Sequence, residues 1–94
     1  MTIEKLIKEN QGTILDVRSE SEFSGGHAKG SLNIPLHELP SRIEEIKALK
    51  APLILCCASG GRSGQAHLFL RQLGVDCHNA GSWLDVEYVI SQTA

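Results

Sequence analysis

The stretch LILCCASGGRSGQAHLFLRQLGVDCHN, Leu53 to Asn79, decides the fold. Its opening five residues, Leu53 to Cys57, are apolar throughout and follow Pro52, which reads as a fully buried strand. A Gly-rich turn comes next. Then Ala66, Phe69, Leu70 and Leu73 recur at i, i+3, i+4 and i+7, the stripe of an amphipathic helix, and Gly74 is suited to end it. Val75 to Asn79 reads as a further strand. Two strands joined by one helix of about a dozen residues are a βαβ unit, which requires parallel pairing and a right-handed crossover. Strands without polar alternation belong to a sheet covered on both faces. The expected architecture is therefore α/β: three layers, α/β/α, around a mostly parallel sheet of about five short strands.

The segments on the N-terminal side fit this plan. Thr2 can cap a short helix over Ile3 to Glu9, and Gly12 can end it. TILDV, Thr13 to Val17, is β-branched and apolar and reads as another buried strand. Ser19 and Glu22 form a capping-box pattern for a single turn. Ser24 to Ser31 is Gly-rich loop, and Leu32 to Pro35 is a very short strand closed by proline. Leu39, Ile43 and Ile46 predict an amphipathic helix, with Pro40 in its first turn. On the C-terminal side, Ala80, Gly81 and Ser82 turn the chain into a helix over Trp83 to Ile90.

Composition narrows the function classes. Leu, Ile, Val and Phe make up 26 of 94 residues, or 28%, enough for one small core and well above the roughly 20% below which chains stay disordered. Residues 1–94 read as a single domain. The formal charge is −2, so no basic excess points to nucleic acid. The longest apolar run, Leu53 to Ala58, is far short of the roughly 20 residues a membrane helix needs. The N-terminus has no apolar signal-peptide core, so the chain as written reads as cytoplasmic, or periplasmic if a leader was removed. The three cysteines, Cys56, Cys57 and Cys77, are too few for a disulfide framework, which turns attention to thiol reactivity. Cys77 and His78 have no metal-ligand spacing around them, and neither metal nor organic cofactor is expected.

In open parallel sheets, ligands bind beyond the C-terminal strand ends. That place holds Cys57, Ala58, Ser59, Gly60, Gly61, Arg62 and Ser63. The two glycines let the backbone turn its N–H groups inward, and the following helix aims its positive dipole end at the same spot. A thiol there should be partly exposed and shifted toward thiolate, the nucleophilic form. Cys56, one residue back, should face the opposite side of the sheet and pack in the core. The residues alone thus give a cysteine nucleophile in an anion-binding loop.

The order strand, Cys57, four residues, Arg62, Ser63, helix resembles the active-site loop of rhodanese-like sulfurtransferases. Ile14 to Leu36, with its DVR, acidic turn, Gly26-His27 and Asn33-Ile34-Pro35, is similar to that family's first half. The likeness runs from Ile14 to about Gly81, and the Asn79-Ala80-Gly81 turn narrows it to small single-domain bacterial thiosulfate sulfurtransferases of the phage-shock protein E kind. The resemblance implies that Cys57 carries a persulfide and that the amides of Ala58 to Arg62 cradle the transferred sulfur. It implies that Arg62 shapes the loop, either beside the substrate or tied into the fold. Asp16 and Arg18 would be supporting polar groups, and His27 a framework residue. The donor would be a small sulfur-containing anion or a persulfide, the acceptor a thiol or cyanide, and the protein a monomer or weak dimer with no nucleic-acid or membrane partner.

Two features depart from many relatives. No cation follows the cysteine, where Ala58 and Ser59 stand, and Gly81 is a single glycine where a pair is common. Two other functions compete. Cysteine phosphatases use a similar loop with five residues between Cys and Arg, one more than the four from Ala58 to Gly61. A non-catalytic sulfur carrier or partner-binding module of the same fold would keep the same cysteine.

Overall fold

The computed structural model describes residues 1–92. The chain runs α1 (Ile3–Lys8), β1 (Thr13–Asp16), α2 (Glu20–Ser24), β2 (Leu32–Asn33), a 3₁₀ helix (Leu36–Arg42), α3 (Ile43–Lys47), β3 (Leu53–Cys57), α4 (Gly61–Gln72), β4 (Cys77–Ser82) and α5 (Trp83–Ser91). The strands form one sheet in the order β2-β1-β3-β4, and every pair is parallel. This is the expected α/β class with helices on both faces, but the described sheet has four strands rather than about five. The four lie where the individual strand signals are, and Pro35, without an N–H to donate, stops β2 after two residues.

All five residues of β3 are buried, as a central strand requires. Their alternation splits the core. Leu53, Leu55 and Cys57 join Leu15, Val17, Ala66 and Leu70 beneath α4 and the 3₁₀ segment. Ile54 and Cys56 join Leu6, Ile7 and Val86 beneath α1 and α5. The period-two geometry of a strand therefore sends the adjacent thiols to opposite layers.

Three local readings change. The stretch after Pro35 is not one amphipathic helix. Pro40 cannot donate an α-helical bond, so Leu36–Arg42 winds as 3₁₀ and α3 starts only at Ile43, while Leu39 and Ile46 still reach the core. Leu73 does not join the buried face of α4; it caps the helix and stays 39% exposed, and the inward face is Ser63, Ala66 and Leu70. The last strand begins at Cys77 and runs through the expected turn to Ser82. Val75 is held by the helix end, its N–H donating to the Leu70 carbonyl. Leu55 pairs with Asn79 and Cys56 with Gly81, so Ala80 is the extra residue of a bulge that absorbs the left-handed Gly81 (φ +84°) without ending the strand. The caps at Thr2 and Ser19 form as read, the second as a complete capping box with Glu22.

Candidate active site

Cys57 ends β3, and the chain turns at Gly60 into α4. Gly60 has φ +104°, a conformation L side chains rarely adopt, and it packs against Gly81, whose Cα a Cβ at Gly60 would meet at 3.4 Å. The turn points the Gly60 N–H at Cys57 Sγ, 3.0 Å away. The helix cap has no side-chain hydrogen bond of its own. Cys57 takes that place: its Sγ lies 3.4 Å from the Ser63 N–H in the first turn of α4, and 3.4 Å from the Ser63 hydroxyl. The sulfur thus occupies the position where a helix N-terminus best accommodates negative charge.

Burial pushes the Cys57 thiol up, but the Ser63 hydroxyl and the N–H groups of Ser63, Gly60 and Ser59 outweigh it and bring the pKa down to about 7. Cys56 goes the other way. Burial and the neighbouring Asp16 carboxylate push it up to about 12. Cys77 is also raised by burial, and its Sγ lies 3.9 Å from the His67 carbonyl. The expectation of a partly exposed Cys57 is corrected: the residue is 1% exposed. The loop folds back so that Gly60 and Ser63 can reach the sulfur, and the same closure covers it.

Arg62 is tied into the fold. Its Nη1 and Nη2 donate to the two carboxylate oxygens of Glu22 at 2.7 and 3.0 Å, a bidentate pair. Asp16 and Arg18 form a buried pair, with Arg18 Nε and Nη2 donating to Asp16 at 2.8 to 3.0 Å. Arg18 also donates to the Glu22 and Gly26 carbonyls and lies over the Trp83 ring at 4.7 Å. This pair anchors α2, and α2 presents Glu22 to Arg62. Asp16 and Arg18 therefore meet the loop through Glu22 and Arg62, and no hydrogen bond joins them to the sulfur among the described residues. His27 stacks on Phe23 and bonds its carbonyl, which is a framework position. Ala58, Ser59 and Gly61 complete the loop, with Ala58 and Ser59 exposed.

Two contributors were not among the residues singled out for the site. Glu22 reads in sequence only as a capping residue. Asn79 reads only as part of a turn, yet its Oδ1 accepts from Ser63 Oγ at 2.7 Å and from Gly81 N at 3.0 Å, while its Nδ2 donates to the Gly60 carbonyl at 3.3 Å. The bulge at Ala80 is what sets Asn79 against the loop, and no short-range signal announces it. Beside Arg62 a cavity of about 330 Å³ is lined by Val17, Ser19, Pro35, Leu36 and His37. A larger hollow of about 420 Å³, between α1 and α5, includes Ile14 and Ile90 and contains no cysteine.

A parallel α/β sheet with a cysteine at a central strand end, its sulfur faced by the N–H groups of a short loop and a helix start, defines a cysteine-loop site of the kind that binds small anions. The chain belongs to the rhodanese-like domain family, whose model matches residues 2–86. It is 46% identical over 61 residues to YqhL of Bacillus subtilis (strain 168), covering 65% of this chain and 48% of that protein, so it spans about half the length of this relative. It is 34% identical over 74 residues to the thiosulfate sulfurtransferase PspE of Escherichia coli (strain K12), covering 77% of this chain and 71% of that one. Among solved structures, reduced Bacillus anthracis CoADR-RHD superposes with a TM-score of 0.77 at 32% identity, over 96% of this chain and 16% of that one. Among the described residues, no helix is long and apolar enough to cross a membrane.

Proposed function

We propose that this protein is a sulfurtransferase that works through a persulfide on Cys57. The observation that carries the reading is the convergence of the Gly60 N–H, the Ser63 N–H and the Ser63 hydroxyl on Cys57 Sγ, in a thiol brought down to about 7. Near neutral pH such a sulfur is about half thiolate. The thiolate attacks the outer sulfur of a donor such as thiosulfate. The donor's S–S bond breaks, sulfite leaves with the electron pair, and a Cys57 Sγ–S⁻ persulfide remains. An acceptor thiolate or cyanide then attacks the outer sulfur, the Sγ–S bond breaks, and the Cys57 thiolate returns. Sulfur is relayed in two displacements with no external oxidant or reductant.

In this reading the loop amides of Ala58 to Arg62 hold the added, anionic sulfur, and Ser63 contributes its hydroxyl; the Gly60 N–H at 3.0 Å from Sγ supports it. The Glu22 pair supports the framework role for Arg62 over direct substrate contact. Residues 1–94 act as one domain in this reading, monomeric or weakly dimeric, and the transfer calls on no metal or organic cofactor. Thiol chemistry of this kind suits a reducing compartment such as the cytoplasm.

The test is intact mass after exposure to thiosulfate and again after cyanide, with Cys57→Ser, Cys56→Ser and Cys77→Ser in parallel. The wild-type chain gains one sulfur atom and loses it to cyanide. Cys57→Ser gains none, and the other two variants behave as wild type. Equal loss in Cys56→Ser and Cys57→Ser, with both folded, overturns the assignment. Loading without turnover identifies a sulfur carrier instead of an enzyme.

A further inference from the structure

The charge at the mouth of the loop is set by one ion pair. Ala58, Ser59, Gly60 and Gly61 carry no charge, so Arg62 is the cation between Cys57 and the body of α4. Both of its terminal nitrogens are engaged by Glu22, at 2.7 and 3.0 Å. A guanidinium that grips a carboxylate in this fork commits two of its five N–H donors, and the pair has no net charge. Glu22 is itself held firmly. Its Oε1 accepts from the Ser19 N–H and hydroxyl, both at 3.0 Å, and Arg18 bonds its carbonyl. The adjoining cavity is floored by Val17, Pro35 and Leu36. His37, on its rim, lies 3.8 Å from Glu38.

We propose that Glu22 is a specificity-determining residue: by occupying Arg62 it disfavours dianionic sulfur donors, and the site selects donors with a single negative charge on an apolar organic body. This rests on the sulfurtransferase reading of Cys57. Two like charges on thiosulfate meet a neutralised cation and a nearby thiolate. A monoanionic organic donor meets less repulsion and can lay its body on the apolar floor.

The experiment compares thiosulfate, a dianion, with benzenethiosulfonate, a monoanion with an aromatic body. Transfer to cyanide is followed for the wild type and for Glu22→Gln. Attack on benzenethiosulfonate releases benzenesulfinate with the S–S electron pair, so the persulfide formed is the same. Gln keeps the side-chain acceptor of the capping box but can no longer grip the guanidinium as a charged fork. The expected result is a thiosulfate KM lowered about five-fold, the scale of one exposed charge contact, with the thiosulfate-to-benzenethiosulfonate preference shifted by the same factor. Ala58→Arg places a cation at an exposed loop position that Glu22 does not hold, and should shift the preference in the same direction. An unshifted preference in the folded variants, or equal changes for both donors, overturns the proposal. If neither donor loads sulfur onto wild-type Cys57, the sulfurtransferase reading itself fails, a result distinct from loading with unshifted preference.

Discussion

Replacing Ser63 by alanine tests how the loop activates its cysteine. The Ser63 hydroxyl makes the largest of the contributions that lower the Cys57 pKa, ahead of the backbone N–H groups. Ser63→Ala deletes that donor, at 3.4 Å from Sγ, and leaves the Ser63-position and Gly60 N–H groups in place. A hydrogen bond to a charged group contributes about 1.5–3 kcal/mol when well formed, and a long contact to sulfur sits at the low end, which corresponds to about one pKa unit. The midpoint should therefore rise from about 7 toward about 8. At pH 7 the thiolate fraction would fall from about one half to about one tenth, and alkylation would slow about five-fold. The assay is the pH profile of iodoacetamide alkylation, read by intact mass. Cys56 and Cys77, both shifted upward, serve as unreactive internal references. The hydroxyl has one proton and two acceptors, Sγ and the Asn79 Oδ1 at 2.7 Å. Asn79→Asp sets a carboxylate in competition with the thiolate and should also raise the midpoint. A Ser63→Ala profile within about 0.3 units of wild type would refute the claim that this hydroxyl stabilises the thiolate.

Two further outcomes follow from the same geometry. Cys57 titrates at about 7 when folded, against an ordinary value of 9.0, so its contribution to stability is fully present above pH 9 and is lost as pH falls through 7. The Tm of wild type minus that of Cys57→Ser should therefore grow between pH 6 and pH 9, by the equivalent of about 2 kcal/mol at most; a flat or shrinking difference would count against a depressed pKa. Cys56, raised to about 12, loses stability in the opposite direction at higher pH, but it is common to both proteins and cancels. Inserting one glycine between Gly60 and Gly61 should carry the first turn of α4 off the sulfur and cut transfer at least ~10-fold, while the unmodified chain shows no aryl phosphatase activity. Cys57-dependent phosphate hydrolysis by the unmodified chain would transfer the assignment to the phosphatase class.

The fold class was legible because its signals are local. Leu53–Cys57, Gly74 and the stripe through Ala66 and Leu70 report strand, helix end and buried face within a few residues of chain. Period-two alternation also separates Cys57 from Cys56, and the two fall in different core layers. Two local rules compete after Pro35. The apolar stripe through Leu39, Ile43 and Ile46 argued for a continuous helix, and Pro40 broke it into 3₁₀ and α segments.

By itself, the sequence determined the α/β class, the parallel βαβ unit and the placing of Cys57 at a strand end before a Gly-rich turn and a helix. Each of these follows from residue type and spacing along one short stretch of chain. Only the tertiary structure decided what surrounds that cysteine. Glu22 stands 40 residues before Arg62, and Asn79 stands 16 after Ser63. They meet because β1 and β4 flank β3 in the sheet, because the Asp16–Arg18 pair anchors α2, and because the bulge at Ala80 turns β4 toward the loop. Contacts of that kind depend on strand order and register, which no short-range pattern encodes, and they set the charge and the proton that the sulfur sees.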